Sequence, residues 1–445
     1  MRRKAGQPAH RSLGEVGRRS VGLSRPLPDS FDGRPGGPSL PEIPGHSSEV
    51  AQCPAFRTVK TKDVSLASNA MTPRQRFIET IRFGSPDKIP LNPGNPREST
   101  LANWREQGLP AGADWFPHVI ETLGIDYDWP ARPAAKLDID FNLRPQFEEK
   151  VLERREGSLI VQDWKGNVCE ISDQFDVTYL RSARDFVTRN WIRCPVENRD
   201  DWLQMRERYD PTDPGRFPDD FAEKGAALAD RDVEIKVVVS GPFWIMREWC
   251  GFEGLCMLMI DQPDLVVEMA EFWKEYVSDM FARMLEHVTP DHVQFSEDMA
   301  YKAKAMISPA MTREFCKPSW DLWTAQLKSA GVPAVEIDSD GYIGGLIPIW
   351  IESGVHLTRP VEVAAGNDIN VFRAEFGRSM AYQDGVDKRA MAKGGDVLKA
   401  EMKRIEPVVK DGGYIPGCDH GVPSDVSWPN YLEHTRLIAQ MTGWL

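Results

Sequence analysis

The sequence predicts an α/β fold: a (β/α)8 TIM barrel with a disordered N-terminal extension and a β-hairpin insertion. Short apolar segments rich in β-branched residues alternate with amphipathic helical stretches, which is the pattern of repeated βα units. Acidic residues directly follow several of these segments, which suits the loops at the carboxyl ends of barrel strands. The predicted strands start at Ile89, Ile235, His292, Ala334, His356, Ala381 and Tyr414, with Gly124–Tyr127 as the eighth candidate.

The first 70 residues differ from the rest of the chain in composition. They are rich in Pro, Gly, Ser and Arg, and their few apolar residues show no period. Residues 1–70 are therefore predicted to be disordered, and residues 71–445 to form the barrel. A helix is predicted directly after Met71, because Thr72 can cap it, Pro73 suits its first position and Gln75 completes a capping box. Met71 is also a candidate start of translation.

A change of hydrophobic period indicates an insertion in the barrel. Between Val151 and Thr178 apolar residues alternate with polar ones, as they do in half-buried strands. Leu159–Trp164 and Val168–Ile171 flank the turn sequence Lys165-Gly166-Asn167, so this region is predicted to be a β-hairpin.

Composition excludes several classes of protein. The chain has 445 residues, is 41% hydrophobic and carries a formal net charge of −13, which argues against a nucleic-acid-binding surface. No apolar run reaches the length of a membrane span, which is about 20 residues. Seven cysteines spread through a long chain fit reduced thiols in a cytoplasmic enzyme better than a disulfide framework.

Acidic side chains follow the predicted strands and are the candidates for catalysis and substrate binding. Asp338 and Asp340 follow one strand at positions i and i+2, so both can face one cavity. We predict catalytic roles for these two and for Glu297, and substrate-binding roles for four further residues. Those four are Arg97, Asp298, Glu362 and Asp384. The structural alternative is that acidic residues in such loops only cap the helices that follow.

The segment Gly412–Trp428, GGYIPGCDHGVPSDVSW, adds a thiol and an imidazole behind the last predicted strand. Cys418 and His420 are predicted to share one loop, and Asp338 would approach them from its own strand. Cysteine, histidine and carboxylate side chains are zinc ligands, so Cys418, His420 and Asp338 form a candidate site for zinc or another divalent metal. A buried inert thiol and a structural histidine are the alternatives.

Several segments together resemble the uroporphyrinogen decarboxylase superfamily. The first is MTPRQRFIETIRFGSPDKIPL at Met71–Leu91, and the later ones are SGPF, MISPAMTREFCKP and GGYIPGCDHGVP. The resemblance runs from Met71 to the C-terminus and implies a (β/α)8 barrel. The superfamily contains uroporphyrinogen decarboxylases, which need no cofactor, and corrinoid-linked methyltransferases, which use zinc to activate a thiol.

The chain departs from both branches. The resemblance to decarboxylases implies an arginine-rich segment after the first strand, but the sequence there is PLNPGNPRES and keeps only Arg97. A substrate with eight carboxylates would also meet an acidic pocket, and like charges repel. The methyltransferase branch carries H-x-C after a middle strand, where this chain has Asp338-Ser339-Asp340, although a cysteine after the last strand is matched by Cys418.

Three hypotheses follow for the function. The first is metal-assisted methyl transfer that involves a thiol or a corrinoid protein. The second is a carboxy-lyase of the uroporphyrinogen decarboxylase type, and the third is a ligand-binding barrel without catalysis. The expected partners are a small-molecule substrate and, as candidates, a second copy of the chain and a separate corrinoid protein. No cobalamin-binding D-x-H-x-x-G element occurs here, so a corrinoid would have to arrive on another protein.

Overall fold

A computed structural model describes residues 70–130, 137–181 and 187–445 of the chain. The predicted disordered extension, residues 1–70, lies outside these residues apart from Ala70. Among the described residues, none of the helices is both long enough and apolar enough to span a bilayer.

The central element is a sheet of six parallel strands, consistent with the predicted α/β class. Its strands are β5 (Lys236–Ser240), β6 (His292–Ser296), β9 (Ala334–Asp338), β10 (Leu357–Arg359), β11 (Ala381–Val386) and β12 (Tyr414–Cys418). They lie in the order β12-β11-β10-β9-β6-β5, so β5 and β12 are the two edge strands. Helical segments connect these strands, as parallel pairing requires.

Six of the seven predicted strand starts lie within two residues of these strands. Ile89–Leu91 is not a strand. The chain that follows it nevertheless forms a parallel bridge between Pro96 and Val422, four residues beyond the end of β12. Gly124–Tyr127 is also not a strand, because Gly124 ends the preceding helix in a left-handed conformation at φ 66°. Six of the eight predicted strands are therefore present among the described residues, and they form one parallel sheet.

The fifteen α-helices of the described residues surround and connect the strands. They are α1 (Pro73–Ile81), α2 (Glu98–Glu106), α3 (Trp115–Leu123), α4 (Arg199–Arg206), α5 (Phe221–Ala227), α6 (Pro242–Cys250), α7 (Phe252–Asp261), α8 (Pro263–Leu285), α9 (Pro309–Met311), α10 (Lys317–Ser329), α11 (Ile347–Glu352), α12 (Ile369–Phe376), α13 (Lys388–Lys393), α14 (Gly395–Asp411) and α15 (Trp428–Thr442). The predicted capping box at the start of α1 is confirmed, with Thr72 and Gln75 binding each other's backbone N–H groups.

The predicted hairpin is confirmed and belongs to a larger antiparallel sheet. Its two strands are β2 (Ser158–Gln162) and β3 (Val168–Ser172). They lie between β1 (Lys150–Arg155) and β4 (Asn190–Arg193) in the order β1-β2-β3-β4. A pair of two-residue strands, β7 (Ala300–Tyr301) and β8 (Lys304–Ala305), forms a further antiparallel ribbon after β6.

One face of the parallel sheet carries an apolar layer below a layer of buried charges. The apolar layer lies near the amino ends of the strands, where α1 packs Phe77 and Ile81 against the first residues of β9, β10 and β11. Two residues further along β9, Glu336 lies fully buried, 3.1 Å from His292 Nε2 and 3.2 Å from Lys236 Nζ. Burial alone would raise the pKa of Glu336, but the charges of Lys236 and His292 hold it well below its usual range.

Replacing Glu336 with glutamine is expected to destabilise the fold by about 3–5 kcal/mol, because the change leaves the charges of Lys236 and His292 buried without their anion. Urea unfolding followed by circular dichroism measures this change in the free energy of unfolding. Glu271→Gln is the matched control, since Glu271 is half exposed and pairs with Lys274 at the surface. Its loss should stay below about 1 kcal/mol, and equal losses for the two variants would contradict the account.

Candidate active site

The candidate site lies at the carboxyl ends of the parallel strands. Ser240, Ser296, Asp338 and Arg359 end four adjacent strands, and the register makes each the partner of the next. Side chains at paired positions of parallel strands leave the sheet on the same side. The four residues therefore form one polar row across the sheet, which we call the polar row.

Asp338 is the member of the polar row with an unusual proton affinity. Burial raises the pKa of its carboxyl group to about 7, and the negative charge of Glu336 adds to this effect. Among the described residues, no side chain or backbone N–H donates a hydrogen bond to this carboxyl group. Asp338 is thus a carboxylic acid that can give or take a proton near neutral pH.

The neighbouring Arg359 is bound to a different carboxylate. Its Nε lies 3.0 Å from Asp384 Oδ2, and Asn92 Nδ2 donates to Asp384 Oδ1 at 2.8 Å. Asp384 was predicted to follow its strand, but it lies within β11, where a φ of 73° departs from regular strand geometry. Such a left-handed conformation is costly for a residue other than glycine, and the bonds to Arg359 and Asn92 oppose that cost.

Asp340 and His420 lie beside each other. Asp340 Oδ2 lies 3.4 Å from His420 Nε2, and His420 Nδ1 lies 3.5 Å from Arg97 Nη2. Burial opposes ionisation of Asp340, but the hydrogen bond and charge of His420, together with the charges of Lys388 and Arg247, outweigh burial, and the pKa of Asp340 lies below its ordinary value. The same bond raises the pKa of His420. The pair favours a carboxylate and an imidazolium at the rim of the site.

Two further predicted residues are held by basic side chains from other elements. Asp298 Oδ2 lies 2.8 Å from Arg247 Nη2 of α6, and Asp298 itself has a left-handed φ of 39°. Glu362 accepts from Lys388 Nζ at 3.0 Å and from the backbone N–H of Gly341 at 2.9 Å. Lys388 also lies 3.5 Å from Asp419. These contacts hold both carboxylates in place beyond the carboxyl ends of β6 and β10.

Glu297 does not join this group, although it was predicted to share a catalytic role with Asp338 and Asp340. It is fully buried and accepts hydrogen bonds from the backbone N–H groups of Phe243 and Trp244 and from Trp320 Nε1. Phe243 and Trp244 belong to the first turn of α6, so Glu297 satisfies unpaired donors at a helix N-terminus. Burial nevertheless raises its pKa to about 8.

Cys418 also departs from its predicted position. It is the last residue of β12 rather than part of the loop that holds His420, and its side chain is 1% exposed in the main hydrophobic core. Gly417 faces Asp384, so alternation along the strand directs Cys418 to the opposite face, against Gly94. Burial raises the pKa of this thiol far above its ordinary value, which disfavours the thiolate that binds metal.

The predicted metal ligands are therefore not brought together. Among the described residues, no group of three or more His, Cys, Asp and Glu side chains is placed so that it could hold one ion. Asp338 ends β9, and Asp340 just beyond it contacts His420. Cys418, in contrast, is buried in the main hydrophobic core. Cys418, His420 and Asp338 therefore do not fit a zinc site.

Four basic side chains pair with the acidic side chains of this region, and these are Arg247, Arg359, Lys388 and His420. Like charges still act here, because the negative charges of Glu336 and Asp340 add to the effect of burial in raising the pKa of Asp338. Of the four basic residues, only His420 was predicted as a site residue. Arg359 could have been recognised, because it ends a predicted strand. Arg247 and Lys388 lie in helices, and nothing local in the sequence distinguishes them from surface charges.

Comparison with known proteins gives a fold match only. No protein-family model matches the chain, and no curated protein matches it. A solved structure of a methyltransferase from Methanosarcina mazei is similar, with a TM-score of 0.52 and 14% sequence identity over 84% of this chain and 98% of that one. At this identity the likeness shows a shared fold, and membership of the uroporphyrinogen decarboxylase superfamily stays a prediction.

The raised pKa of Asp338 predicts a specific pH dependence of stability. In the unfolded chain an aspartate has a pKa of about 3.9, whereas Asp338 in the folded protein has one of about 7. The folded state therefore keeps a proton that the unfolded state has lost, and its stabilising effect disappears as the pH rises from about 4 through 7. Asp338→Asn removes this dependence.

Relative to the wild type, Asp338→Asn should gain on the order of 2 kcal/mol in free energy of unfolding between pH 5 and pH 8. Urea titrations at one-unit pH intervals measure the difference. Asp396→Asn is the control, because Asp396 is fully exposed, and its difference from the wild type should not change over this range. A constant difference between Asp338→Asn and the wild type would show that Asp338 is ionised throughout.

Proposed function

We propose that the protein is an enzyme that transfers a methyl group from a small molecule, with Asp338 as the general acid. The observation that carries this proposal is a half-buried carboxylic acid with a pKa of about 7 and no hydrogen-bond donor among the described residues. The shared fold with a methyltransferase supports the choice of reaction.

Methyl transfer from oxygen, nitrogen or sulfur creates a leaving group that needs a proton. An acceptor nucleophile attacks the methyl carbon, the bond between that carbon and the heteroatom breaks, and its electrons stay on the heteroatom. Asp338 would donate its proton to that heteroatom and become a carboxylate, which solvent later protonates again. A thiol acceptor would release its own proton to solvent, so the protons balance over the cycle. A general acid of this kind contributes about 10²–10⁴-fold to the rate.

The paired residues around Asp338 would position the substrate. Arg359 stays bound to Asp384 and lies close enough to Asp338 to stabilise the carboxylate that forms. Asp298, Glu362 and Asp384, together with Arg97, keep their proposed roles in substrate binding. The acceptor in this proposal is a thiol or a corrinoid on a separate protein, and it would approach from the open side of the row.

The carboxy-lyase alternative receives less support from the site. Binding several substrate carboxylates requires cations that are available to them. Arg247, Arg359 and Lys388 each bind a carboxylate of the chain itself. A substrate with many carboxylates would have to break these ion pairs in order to bind. A neutral methyl donor can bind without breaking them.

The proposal includes a closed barrel as the scaffold. Residues 89–96 would take the position of the first strand, since Tyr431 Oη donates to Gly94 O and Pro96 pairs with Val422 beyond β12. On the opposite edge, residues 139–143 lie near β5 across a cavity. With these two segments at its two edges, the six-stranded sheet would close into a barrel.

Replacing Asp338 with asparagine is expected to lower the rate of methyl transfer by about 10²–10⁴-fold while the protein stays folded. Purified protein would be incubated with O-, N- and S-methyl donors, with a thiol or reduced cobalamin supplied as acceptor. Methylated acceptor would be measured by mass spectrometry and absorbance. Asp396→Asn should keep the wild-type rate, because Asp396 is fully exposed.

Two results would contradict the proposal. One is an Asp338→Asn protein that transfers methyl groups at the wild-type rate. The other is a wild-type protein that forms no methylated product from any of the three donor classes with either acceptor.

A further inference from the structure

A cavity of about 280 Å³ lies along the edge strand β5, beside the polar row. Its volume is at the small end of ligand pockets, which run from about 300 to 1,000 Å³. Six of the residues that line it are aromatic. They are Phe141, Trp164, Tyr209, Trp244, Trp249 and Trp273.

Most of these rings are held in fixed orientations. Trp273 Nε1 donates to Ser240 O at 2.9 Å, and Trp249 Nε1 donates to Tyr209 Oη at 3.0 Å. The Arg247 guanidinium lies 4.4 Å from the ring centre of Trp244. The indole N–H groups of Trp249 and Trp273 are thus used within the protein, and their rings contribute apolar surface to the cavity. A preformed wall of this kind binds a ligand at little cost in side-chain entropy.

Val238 marks the open side of the cavity. It lies on the edge strand β5 and lines the cavity, and 52% of its surface is exposed. It shares its face of the strand with Lys236 and Ser240, because side chains two residues apart point the same way. An apolar side chain left open at this position offers a contact surface to a bound molecule.

The cavity adjoins the polar row that contains Asp338. Ser240 and Ser296 both line it, and they are the first two members of the polar row that continues to Asp338. Adjacent strands are about 4.8 Å apart, so two strand spacings, about 10 Å, separate Ser240 from Asp338. A molecule of one ring with a short substituent spans this distance.

The wall of the cavity carries no net charge. Lys165 of the hairpin turn and Glu248 of α6 are its two charged lining residues among those described, and they form an ion pair with each other. A charged ligand group would have to compete with this pair, whereas a neutral ring would not. The hairpin insertion therefore contributes Trp164 and Lys165 to a site that the parallel sheet alone would leave open.

We propose that this cavity binds the aromatic ring of a neutral methyl donor and directs its methyl-bearing heteroatom along the polar row toward Asp338. The proposal rests on methyl transfer as the function and names its substrate class, a small arene such as an aryl methyl ether. The rings of the cavity would stack on the ligand ring or meet it edge to face. Ser296 would lie beside the substituent.

Equilibrium dialysis with methoxybenzene tests the assignment, with methoxycyclohexane as the non-aromatic probe of similar size. Wild-type protein should bind methoxybenzene more tightly than methoxycyclohexane. Val238→Phe places a ring in the opening and should weaken methoxybenzene binding by at least about tenfold. Val371→Phe makes the same change at an exposed helix position and should bind as the wild type does.

Trp244→Leu removes one ring without filling the cavity, and it decides the question if Val238→Phe does not fold. It too should weaken binding of methoxybenzene relative to methoxycyclohexane. Equal binding of the two probes by the wild type, or unchanged binding by a folded Val238→Phe protein, would overturn the assignment.

Asp338→Asn separates this inference from the proposed function. The variant should bind methoxybenzene as the wild type does, because Asp338 acts on the heteroatom and not on the ring. Tight methoxybenzene binding without methyl transfer by the wild type would leave the cavity assignment standing and reject the function. Methyl transfer that Val238→Phe does not slow would keep the function and reject the cavity.

Discussion

Burial of charge within a parallel sheet is the constraint on which this structure depends. Moving an ion from water into the protein interior costs several kcal/mol unless another charge compensates it. Glu336, Lys236 and His292 compensate one another inside the sheet, and Arg359 and Asp384 do so near its carboxyl edge. These pairs join residues from different strands, so they also fix how the strands lie relative to one another.

Asp338 gains its chemistry from the same constraint. Its basic neighbour Arg359 is already paired with Asp384, and burial raises the pKa of its half-buried carboxyl group to about 7, so both protonation states are accessible near neutral pH. Left-handed backbone conformations at Asp298 and Asp384 lie on either side of it, each held by an arginine. Strained residues of this kind concentrate where a structure must place a side chain in one position. The site thus combines ion pairs between side chains with one carboxyl group, that of Asp338, which can give or take a proton near neutral pH.

Much of the fold was predictable because local patterns determine it. The capping box at Thr72, the hairpin around Lys165 and most strands of the parallel sheet follow from short-range signals. The short segment Ile89–Leu91 failed as a strand, since three apolar residues do not show whether a neighbouring strand is in register with them.

The site was predictable in its acidic members but not in their partners. Position after a strand indicated Asp338 and Asp340, yet the same signal indicated Glu297, which faces a helix N-terminus instead. Cys418 lies in the core and not in a loop because β12 extends as far as this residue. The sequence does not define such strand ends well. Arg247 and Lys388 approach from helices distant in sequence, so their pairing with the acids required the three-dimensional fold.

The titration of the aspartate side chains tests this account most directly. Carbon-13 NMR of protein labelled at the aspartate carboxyl carbons, with Asp338→Asn and Asp340→Asn used for assignment, follows each group separately. The account predicts that Asp338 titrates near pH 7 and that Asp340, bound to His420, titrates below its ordinary value of 3.8. Titration of Asp338 near pH 4, together with the exposed aspartates, would contradict it.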